Sequence, residues 1–379
     1  MDTSLRMIEL RGGPRQRGRI HGETLRPLVR EHLERWKDGL RAELDVDPDT
    51  YVAEILAETV FLPAIERWTP DLLEELRGIA EGAGTDFRYT LVRALSDEEP
   101  WYRRERKLAT MSMKGCSSVG VDARADQPTL IAQNMDLPKW WDGHQVLLHI
   151  IDPASPVEVF AFTVAGKISL TGLNSAGIGI CCNGLSQLDY ARDGLPEDFV
   201  VRGFLSRPTL EEGLAFMREI RHASGQNYTV AAPASRAINL ECSATRVCEF
   251  RPAHCSDRVY HTNHPLVNDD QAMFRSIAAD LPEADLQRLY YGTSYPRLSA
   301  LEGSFGNAAT EPTIDRIKAA LSSHDGPVCR HGEREGRYDH YTLGCLIMEL
   351  KATPLLHVAP GPPCSTPFQT FSFQAAEGT

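Results

Sequence analysis

Several common features are missing from this sequence, and each absence narrows what the chain can do. No run approaches the ~18 consecutive apolar residues of a membrane span, so no membrane span is expected. Acidic residues outnumber basic ones by 52 to 40, and the net charge of −12 argues against nucleic acid or an anionic membrane surface as a partner. No GxGxxG motif opens a helix after a strand, and neither a GxxxxGK(S/T) loop nor a GxSxG elbow occurs. Dinucleotide, P-loop and serine-hydrolase chemistry are therefore not expected.

Metal-binding and secretory signatures are lacking as well. The cysteines form no CxxC pair, so the sequence predicts no metal site and no cofactor. The segment 1–6 has no apolar run of the kind found in signal peptides. An odd number of cysteines in a long chain without such a signal is typical of a reducing compartment, and the cytoplasm is the expected location. The nine cysteines are Cys116, Cys181, Cys182, Cys242, Cys248, Cys255, Cys329, Cys345 and Cys364.

Helical periodicity dominates the first part of the chain, and strand periodicity dominates the rest. An apolar stripe from Leu25 to Leu44 predicts a helix, a second is expected over 53–62 with its end at Pro63, and a third runs from Asp71 to the glycines at 82–84. This order predicts packed sheets covered by helices. Later helices are expected after the Thr209-x-x-Glu212 capping box and at 313–321. Strands are predicted at 116–122, 129–134, 145–151, 157–163, 168–173, 176–182, 227–232, 237–241, 247–251, 257–261, 343–350, 354–358 and 366–373.

The dipeptide Gly115-Cys116 opens the first predicted strand. If the bond between these residues were cut, Cys116 would carry a thiol nucleophile and an α-amine on one residue. Free thiols titrate near ~8.5 and α-amines near ~7.7–8, so the amine can act as the base for its own thiol close to neutral pH. Without cleavage, a buried structural cysteine is the simpler interpretation of this dipeptide.

Two polar clusters downstream have the residue types that such chemistry needs. Asp136 ends the strand that returns from Cys116, and its carboxylate could hold an α-ammonium group. Asn263 ends a later strand, and its neutral amide is suited to stabilising an oxyanion. The flanking His261 and His264 are three residues apart with no third ligand at a useful spacing, which argues against zinc.

The ordered set of these motifs resembles the acyl-coenzyme A:6-aminopenicillanic acid acyltransferase family of N-terminal nucleophile hydrolases. The resemblance spans about residues 18 to 364. The motifs are Gly22-Glu23, Gly78-Ile79-Ala80-Glu81-Gly82-Ala83-Gly84, Gly115-Cys116-Ser117-Ser118, Gln133-Asn134-Met135-Asp136, Leu173-Asn174-Ser175-Ala176-Gly177, His261-Thr262-Asn263-His264, Cys329-Arg330-His331 and Pro363-Cys364.

The resemblance implies an α+β fold, a four-layer αββα sandwich made as an inactive precursor. Self-cleavage between Gly115 and Cys116 would leave a helical α-chain, 1–115, and a strand-rich β-chain, 116–379, as an α/β heterodimer within one domain. It further implies that Cys116 attacks a small N-acyl substrate, or an acyl thioester, through a thioester intermediate. Asp136 would orient the freed amine and Asn263 would stabilise the oxyanion. The supporting polar groups would be Ser118, Asn134, Ser243 and His261.

One family feature has no clear counterpart in the sequence. The arginine expected near a substrate carboxylate is not found beside Thr342-Leu343-Gly344, and Arg297 and Arg330 are the two candidates. Two alternatives stay open: an uncleaved thiol hydrolase with His261 or His264 as its base, and a non-catalytic small-molecule-binding protein. Hydrolysis and acyl transfer both stay open, as does further oligomerisation of the heterodimer.

Overall fold

Two β-sheets lie face to face in the computed structural model of the chain, which describes residues 4–106, 115–286, 290–332 and 340–373. Neighbouring strands are antiparallel except for the first pair of the first sheet, which is parallel. The first sheet contains, in spatial order, β1 (Arg6–Arg11), β4 (Gln145–Ile151), β5 (Val159–Val164), β6 (Thr171–Asn174), β7 (Gly179–Gly184), β8 (Gln226–Ala231), β9 (Ile238–Cys242) and β10 (Val247–Phe250). The second contains β11 (Arg258–His261), β2 (Ser117–Val121), β3 (Thr129–Pro138), β12 (His340–Leu350), β13 (Leu355–Ala359) and β14 (Gln369–Ser372).

Helices cover the outer faces of both sheets. No helix among the described residues combines the length and the apolar composition needed to cross a membrane. The helices are α1 (Pro14–Thr24), α2 (Arg26–Leu44), α3 (Pro48–Glu58), α4 (Phe61–Trp68), α5 (Pro70–Ala83), α6 (Phe87–Arg93), α7 (Glu99–Glu105), α8 (Glu197–Leu205), α9 (Leu210–Glu219), α10 (Ala272–Ala278), α11 (Glu283–Leu286), α12 (Ser294–Phe305) and α13 (Ile314–Leu321), with a short 3-10 segment at Lys139–Trp141.

Three apolar cores lie between four layers of helices and sheets. The first core joins α1–α9 to the outer face of the first sheet, where Leu148 and Val230 contribute. The second lies between the sheets, with Phe162 from one and Met348 from the other. The third packs α12 and α13 against the second sheet around Ile347. The layer order is therefore helix, sheet, sheet, helix, and the predicted αββα sandwich is confirmed.

The N-terminal part differs from its predicted purely helical structure in two places. Arg6–Arg11 is a strand, because pairing with β4 satisfies its backbone and buries only its alternate apolar side chains. The helix predicted over 53–62 is two helices that meet at Thr59 and Val60, and Pro63 lies in the first turn of α4, where its missing N–H costs no hydrogen bond. Met113 and Lys114, before the predicted cleavage point, lie outside the described residues.

Helix α8 was not predicted, and its surroundings explain why. All nine residues of Glu197–Leu205 are buried. Its charged side chains are buried because they have partners far away in the sequence, with Asp198 bonded to Lys167 at 2.8 Å and Arg202 to Glu75 at 3.0 Å. No local pattern predicts such partners.

The glycines of two quoted motifs lie where α1 and α5 cross. A Cβ atom on Gly22 would lie 2.3 Å from the Ile79 carbonyl oxygen, and one on Gly82 would lie 2.3 Å from the Arg19 carbonyl oxygen. Such distances are far inside van der Waals contact, so only glycine lets the two backbones approach this closely. These motifs therefore hold the outer helical layer together and do not contact the site described below.

Asn174, in the quoted motif Leu173-Asn174-Ser175-Ala176-Gly177, fixes the turn between β6 and β7. Its Oδ1 accepts hydrogen bonds from the N–H groups of Ala176 and Ile178, and its Nδ2 donates to the carbonyl oxygens of Leu205 and Arg207. One buried amide thus satisfies the turn and the end of α8 together.

Candidate active site

The strand pair β2–β3 brings Cys116 and Asp136 together. The strands are antiparallel with Ser117 opposite Asn134, so the residue before β2 lies beside the end of β3. Cys116 Sγ lies 3.9 Å from the Asp136 carbonyl oxygen, and the N–H of Gly115 donates a hydrogen bond to the same oxygen at 3.5 Å. Cys116 is only 3% exposed. The structure thus contains the antiparallel strand pair that the sequence predicts, with Asp136 beside Cys116.

The carboxyl group of Asp136 is fully buried and faces Gly115. Its Oδ1 accepts a hydrogen bond from Thr342 Oγ1 at 2.7 Å, whereas Oδ2 has no hydrogen-bond partner among the described residues. Oδ2 lies 2.8 Å from the position that a Cβ atom on Gly115 would occupy. Burial raises the pKa of Asp136 to about 6, although the Arg330 and Arg297 guanidinium groups favour the charged form. A carboxyl group that titrates near neutral pH therefore lies beside the junction.

Arg297 on α12 connects the junction to Asn263. Its Nη1 donates to the Cys116 carbonyl oxygen and to Ser117 Oγ, the latter at 3.0 Å, and its Nη2 donates to Asn263 Oδ1 at 2.8 Å. Burial lowers the pKa of Arg297 to about 10, and the charge of Asp136 opposes that shift. The guanidinium stays charged at neutral pH and holds these groups in one arrangement.

The Asn263 amide is held at both ends. Its Oδ1 accepts from Arg297, and its Nδ2 donates to the Gly184 carbonyl oxygen at 3.0 Å. Its backbone N–H donates to Ser294 Oγ at 2.7 Å. Since an amide NH2 carries two protons, one N–H of Nδ2 remains for a further acceptor.

Arg330 also approaches the junction. Its Nη1 lies 2.8 Å from the position of a Cβ atom on Gly115, and its charge favours ionised Asp136. The backbones of Arg330 and Thr342 are paired, because Thr342 N–H donates to the Arg330 carbonyl oxygen at 3.0 Å and the Arg330 N–H donates to Thr342 Oγ1 at 2.9 Å. Both arginines that the sequence left as candidates thus reach the site, Arg297 at Cys116 and Arg330 at Gly115.

Ser118 and Asn134 bond away from this cluster. Ser118 Oγ bonds to Asn183 Oδ1 at 2.8 Å and to Thr229 Oγ1 at 2.9 Å, and so joins the two sheets. Asn134 Nδ2 donates to the carbonyl oxygens of Leu321, the last residue of α13, and of Val328. Both residues support the scaffold around the site.

Ser243 and His261 lie at the ends of β9 and β11. Ser243 Oγ donates to a carboxylate oxygen of Asp270. The His261 ring bonds through Nε2 to Glu241 Oε1 at 2.8 Å and through Nδ1 to the Thr262 carbonyl oxygen at 2.9 Å. These bonds tie the strand ends to the following loop.

Histidine is a poor candidate for the base of Cys116. Both ring nitrogens of His261 are already engaged by other groups. His264 Nδ1 bonds to Ser294 Oγ at 2.7 Å, and burial lowers the pKa of His264 to about 4, so this ring binds a proton weakly at neutral pH.

A pocket opens beside Asn263. Trp101 and Tyr190 stack at 4.3 Å between ring centroids and form an aromatic wall. The Arg104 guanidinium carbon lies 5.7 Å from the Tyr190 ring centroid and 5.6 Å from that of Tyr290. Arg104 Nη1 donates a long 3.4 Å hydrogen bond to a backbone carbonyl oxygen, and Nε has no hydrogen-bond partner among the described residues. The pocket therefore offers apolar surface together with a cation that has bonding capacity left.

Fold and site define a two-sheet αββα protein in which a buried cysteine, aspartate, asparagine and arginine and a half-buried second arginine meet at strand ends. The model of the family described as acyl-coenzyme A:6-aminopenicillanic acid acyl-transferase matches residues 123–354, which include Asp136, Asn263, Arg297 and Arg330. The chain belongs to this family. The match begins after Gly115-Cys116, so the role of that junction is taken up below as a proposal.

A curated relative and two solved structures are similar to the chain. The 40 kDa form of the acyl-coenzyme A:6-aminopenicillanic-acid-acyltransferase of Emericella nidulans is 27% identical over 215 residues, and the chain spans about half of its length, 54% of each protein. The Caenorhabditis elegans ortholog of N-acylethanolamine-hydrolyzing acid amidase aligns with a TM-score of 0.42 at 14% identity, over 68% of this chain and 100% of that one. A variant of the conjugated bile acid hydrolase from Clostridium perfringens aligns with a TM-score of 0.45 at 10% identity, over 68% of this chain and 97% of that one.

Proposed function

We propose that this chain is a self-processing cysteine N-terminal nucleophile enzyme that hydrolyses or transfers the acyl group of a small N-acyl compound. Family membership supports the class of activity, since the family and the relative from Emericella nidulans both bear the name of an acyltransferase. The single observation that carries the mechanism is the position of Gly115 and Cys116 between the buried Asp136 carboxyl group and the guanidinium groups of Arg297 and Arg330.

Self-cleavage begins with an N-to-S acyl shift. The Cys116 thiol attacks the Gly115 carbonyl carbon, the C–S bond forms, the C–N bond breaks, and the thiol proton ends on the departing amine. Water then hydrolyses the thioester and leaves Gly115 as a carboxylate and Cys116 as a free N-terminus. Asp136 Oδ2 is suited to the proton transfer because it lies against Gly115, has no hydrogen-bond partner among the described residues, and has a pKa of about 6.

The new α-amine is the base for the same thiol. It takes the Cys116 proton during attack on the substrate carbonyl and delivers that proton to the leaving amine, so a thioester forms as the amide bond breaks. Asp136 orients the amine through a charge-assisted hydrogen bond. The second Nδ2–H of Asn263, whose amide is fixed by Arg297 and Gly184, stabilises the negative oxygen of the tetrahedral intermediate. Water or an acceptor amine then releases the acyl group.

The substrate binds in the pocket beside Asn263. Stacked Trp101 and Tyr190 give an apolar wall for an acyl chain or ring, and Arg104 adds a positive charge at the same wall. This composition favours an N-acyl compound that carries both an apolar part and a carboxylate. Arg104 is therefore a better candidate for the carboxylate than Arg297 or Arg330, whose guanidinium groups lie at the junction.

The two chains remain one folded body after cleavage. Strand β1 belongs to residues 1–115, and it pairs along its whole length with β4 of residues 116–379. The heterodimer is thus held by a shared sheet and a shared core. The cytoplasm is the proposed location, because an odd and scattered set of cysteines is typical of a reducing compartment.

Trapping the acyl-enzyme tests this function. Purified protein is incubated briefly with N-acyl amino acids, lactams and acyl thioesters, quenched in acid and mapped by peptide mass spectrometry. An added acyl group on Cys116 is expected with every compound that is turned over. The control variant Cys248→Ser, which removes a partly exposed thiol on β10, should give the same adduct. Turnover without any adduct at Cys116, or an adduct on another cysteine, would refute the proposal.

A further inference from the structure

Two histidines and two cysteines meet at the edge of the second sheet. They are His324, Cys329, His331 and Cys364, and one donor atom of each lies within 4.8 Å of those of the other three. The two sulfur atoms are 3.6 Å apart, and His331 Nε2 is 3.1 Å from Cys364 Sγ. The His324 and His331 rings stack at 5.2 Å between centroids. Four soft or borderline donor atoms therefore converge on one point.

We infer that these four side chains bind one Zn²⁺ ion in a Cys2His2 site. Zinc takes two thiolates and two imidazoles in a tetrahedron with Zn–S near 2.3 Å and Zn–N near 2.0–2.1 Å. Those bond lengths place two sulfur atoms about 3.8 Å apart, and sulfur about 3.5 Å from nitrogen. The distance of 3.6 Å between the two sulfur atoms and that of 3.1 Å between His331 Nε2 and Cys364 Sγ are close to these values. A disulfide between the cysteines would bring the sulfur atoms to about 2.05 Å and would leave both histidines without a role.

The backbone around the ligands is already shaped for this site. Asn134 Nδ2 donates to the carbonyl oxygens of Leu321 at 2.7 Å and Val328 at 2.9 Å, which closes the loop that carries His324 and Cys329. The same loop is closed by the hydrogen bond from the Cys329 N–H to a carbonyl oxygen within it, at 2.9 Å. Buried Asn134 thus has a definite function, because it preorganises the segment that supplies two ligands.

The fourth ligand comes from another part of the fold. Cys364 lies in the turn after β13, where the N–H of Thr366 donates to the Pro362 carbonyl oxygen at 2.9 Å. Cys364 and His324 are exposed, so an ion can reach them from solvent, whereas Cys329 is buried and would bind the ion from the interior of the protein. All four tetrahedral positions are filled by protein, which is the composition of a structural rather than a catalytic zinc site.

The site adjoins the candidate active site through Arg330, which lies between the ligands Cys329 and His331. Fixing those two neighbours would hold the Arg330 guanidinium against Gly115 and Asp136. The ion would then act as a clamp that positions Arg330. This consequence for activity rests on the proposed function, whereas metal binding itself does not.

Metal content tests the inference directly. The full-length chain, purified without chelator and dialysed, is expected to contain about one zinc ion per chain by inductively coupled plasma mass spectrometry. Cys364→Ser and His324→Ala should each lower that content at least tenfold after dialysis, and Cys248→Ser and His254→Ala, at sites outside the cluster, should keep it. Wild-type protein loaded with Co²⁺ should show the intense visible absorption of a tetrahedral thiolate site. Metal-free protein, equal zinc in Cys364→Ser, or a Cys329–Cys364 disulfide in non-reducing peptide maps would overturn the inference.

The two proposals fail separately. Zinc should bind stoichiometrically to the Cys116→Ala chain, which cannot process, so absence of processing leaves the metal result intact. Conversely, the Cys364→Ser chain should process more slowly than wild type, and its rate should not respond to added zinc. Processing at the wild-type rate in Cys364→Ser that has lost its metal would refute the clamp on Arg330.

Discussion

The Asp136 carboxylate lies against the α-carbon of Gly115, with Oδ2 2.8 Å from the place where a Cβ atom would be. A larger residue at position 115 would therefore have to move the carboxyl group of Asp136. A side chain on residue 115 would also meet Arg330 Nη1 at 2.8 Å. A side chain on residue 115 would thus displace Asp136 or Arg330, whatever the backbone conformation at this position.

Gly115→Ala should slow self-cleavage strongly. The added methyl group must push Asp136 or Arg330 away from the junction, and a displacement of about 1 Å costs on the order of 10²-fold in rate. Gel analysis of freshly made protein over time measures the rate. Gly303→Ala is the matched control, because nothing lies within 4 Å of a Cβ atom at that helical position. Wild-type kinetics in Gly115→Ala would contradict the geometry.

The buried Asp136 carboxyl group should make the stability of the precursor pH-dependent. Its pKa is raised from 3.8 to about 6 in the folded chain, so the folded state binds this proton more tightly than the unfolded state. The resulting stabilisation is present below about pH 4 and is lost as the pH rises through about 6. The Tm of Cys116→Ala should therefore fall from pH 4 to pH 7 by more than the Tm of Cys116→Ala/Asp136→Asn. Parallel Tm curves would show that Asp136 has no raised pKa.

Asn263→Ala should lower kcat by about 10²–10³-fold with little change in KM, because an oxyanion donor acts mainly in the transition state. Steady-state kinetics on any turned-over N-acyl substrate measures both constants. Asn307→Ala, which makes the same substitution at an exposed position, is the control. A change confined to KM would assign Asn263 to substrate binding instead.

Arg297→Lys should lower kcat by about 10–100-fold while the fold is retained. Lysine keeps the charge, but it cannot donate at once to the Cys116 carbonyl oxygen, Ser117 Oγ and Asn263 Oδ1. As Arg297 positions Asn263, its loss should act on kcat more than on KM and should add little to Asn263→Ala in the double variant. Arg275→Lys, at an exposed position on α10, is the control. Full additivity of the two losses would mean that Arg297 and Asn263 act independently.

Arg104→Gln should discriminate between substrates. If Arg104 contacts a carboxylate, KM should rise about tenfold for N-acyl amino acids and stay constant for N-acyl amines without a carboxylate, since a charge-assisted hydrogen bond is worth about 1.5–3 kcal/mol before solvent screening. Competition between the two substrate types measures the ratio of kcat/KM. An equal effect on both types would place the carboxylate elsewhere.

The local part of the site could be predicted from the sequence. Cys116 and Asp136 lie on two strands joined by a short turn, so the antiparallel pairing of β2 and β3 follows from their spacing. The αββα order followed from the resemblance and from the change of period at Cys116. The first inference depends only on near neighbours in the chain, where periodicity carries information, whereas the second also needs the order of motifs along the whole chain.

The remaining part depends on contacts that no local pattern encodes. Arg297 reaches Cys116 from α12 across 181 positions of sequence, and it carries no motif of its own. The cluster of two cysteines and two histidines could not be predicted for the same reason, since Cys364 lies in a turn after β13 and the sequence contains no CxxC pair. Such residues are brought together by the packing of α12 and α13 on the second sheet and by the pairing of β13 with β12 within it.

Mass analysis of the purified chain under denaturing conditions tests the central claim most directly. Two fragments are expected, ending at Gly115 and beginning at Cys116, while Cys116→Ala should give a single intact chain and Cys248→Ser should be cleaved like wild type. A wild-type chain that stays whole while it turns over substrate would contradict the self-processing mechanism.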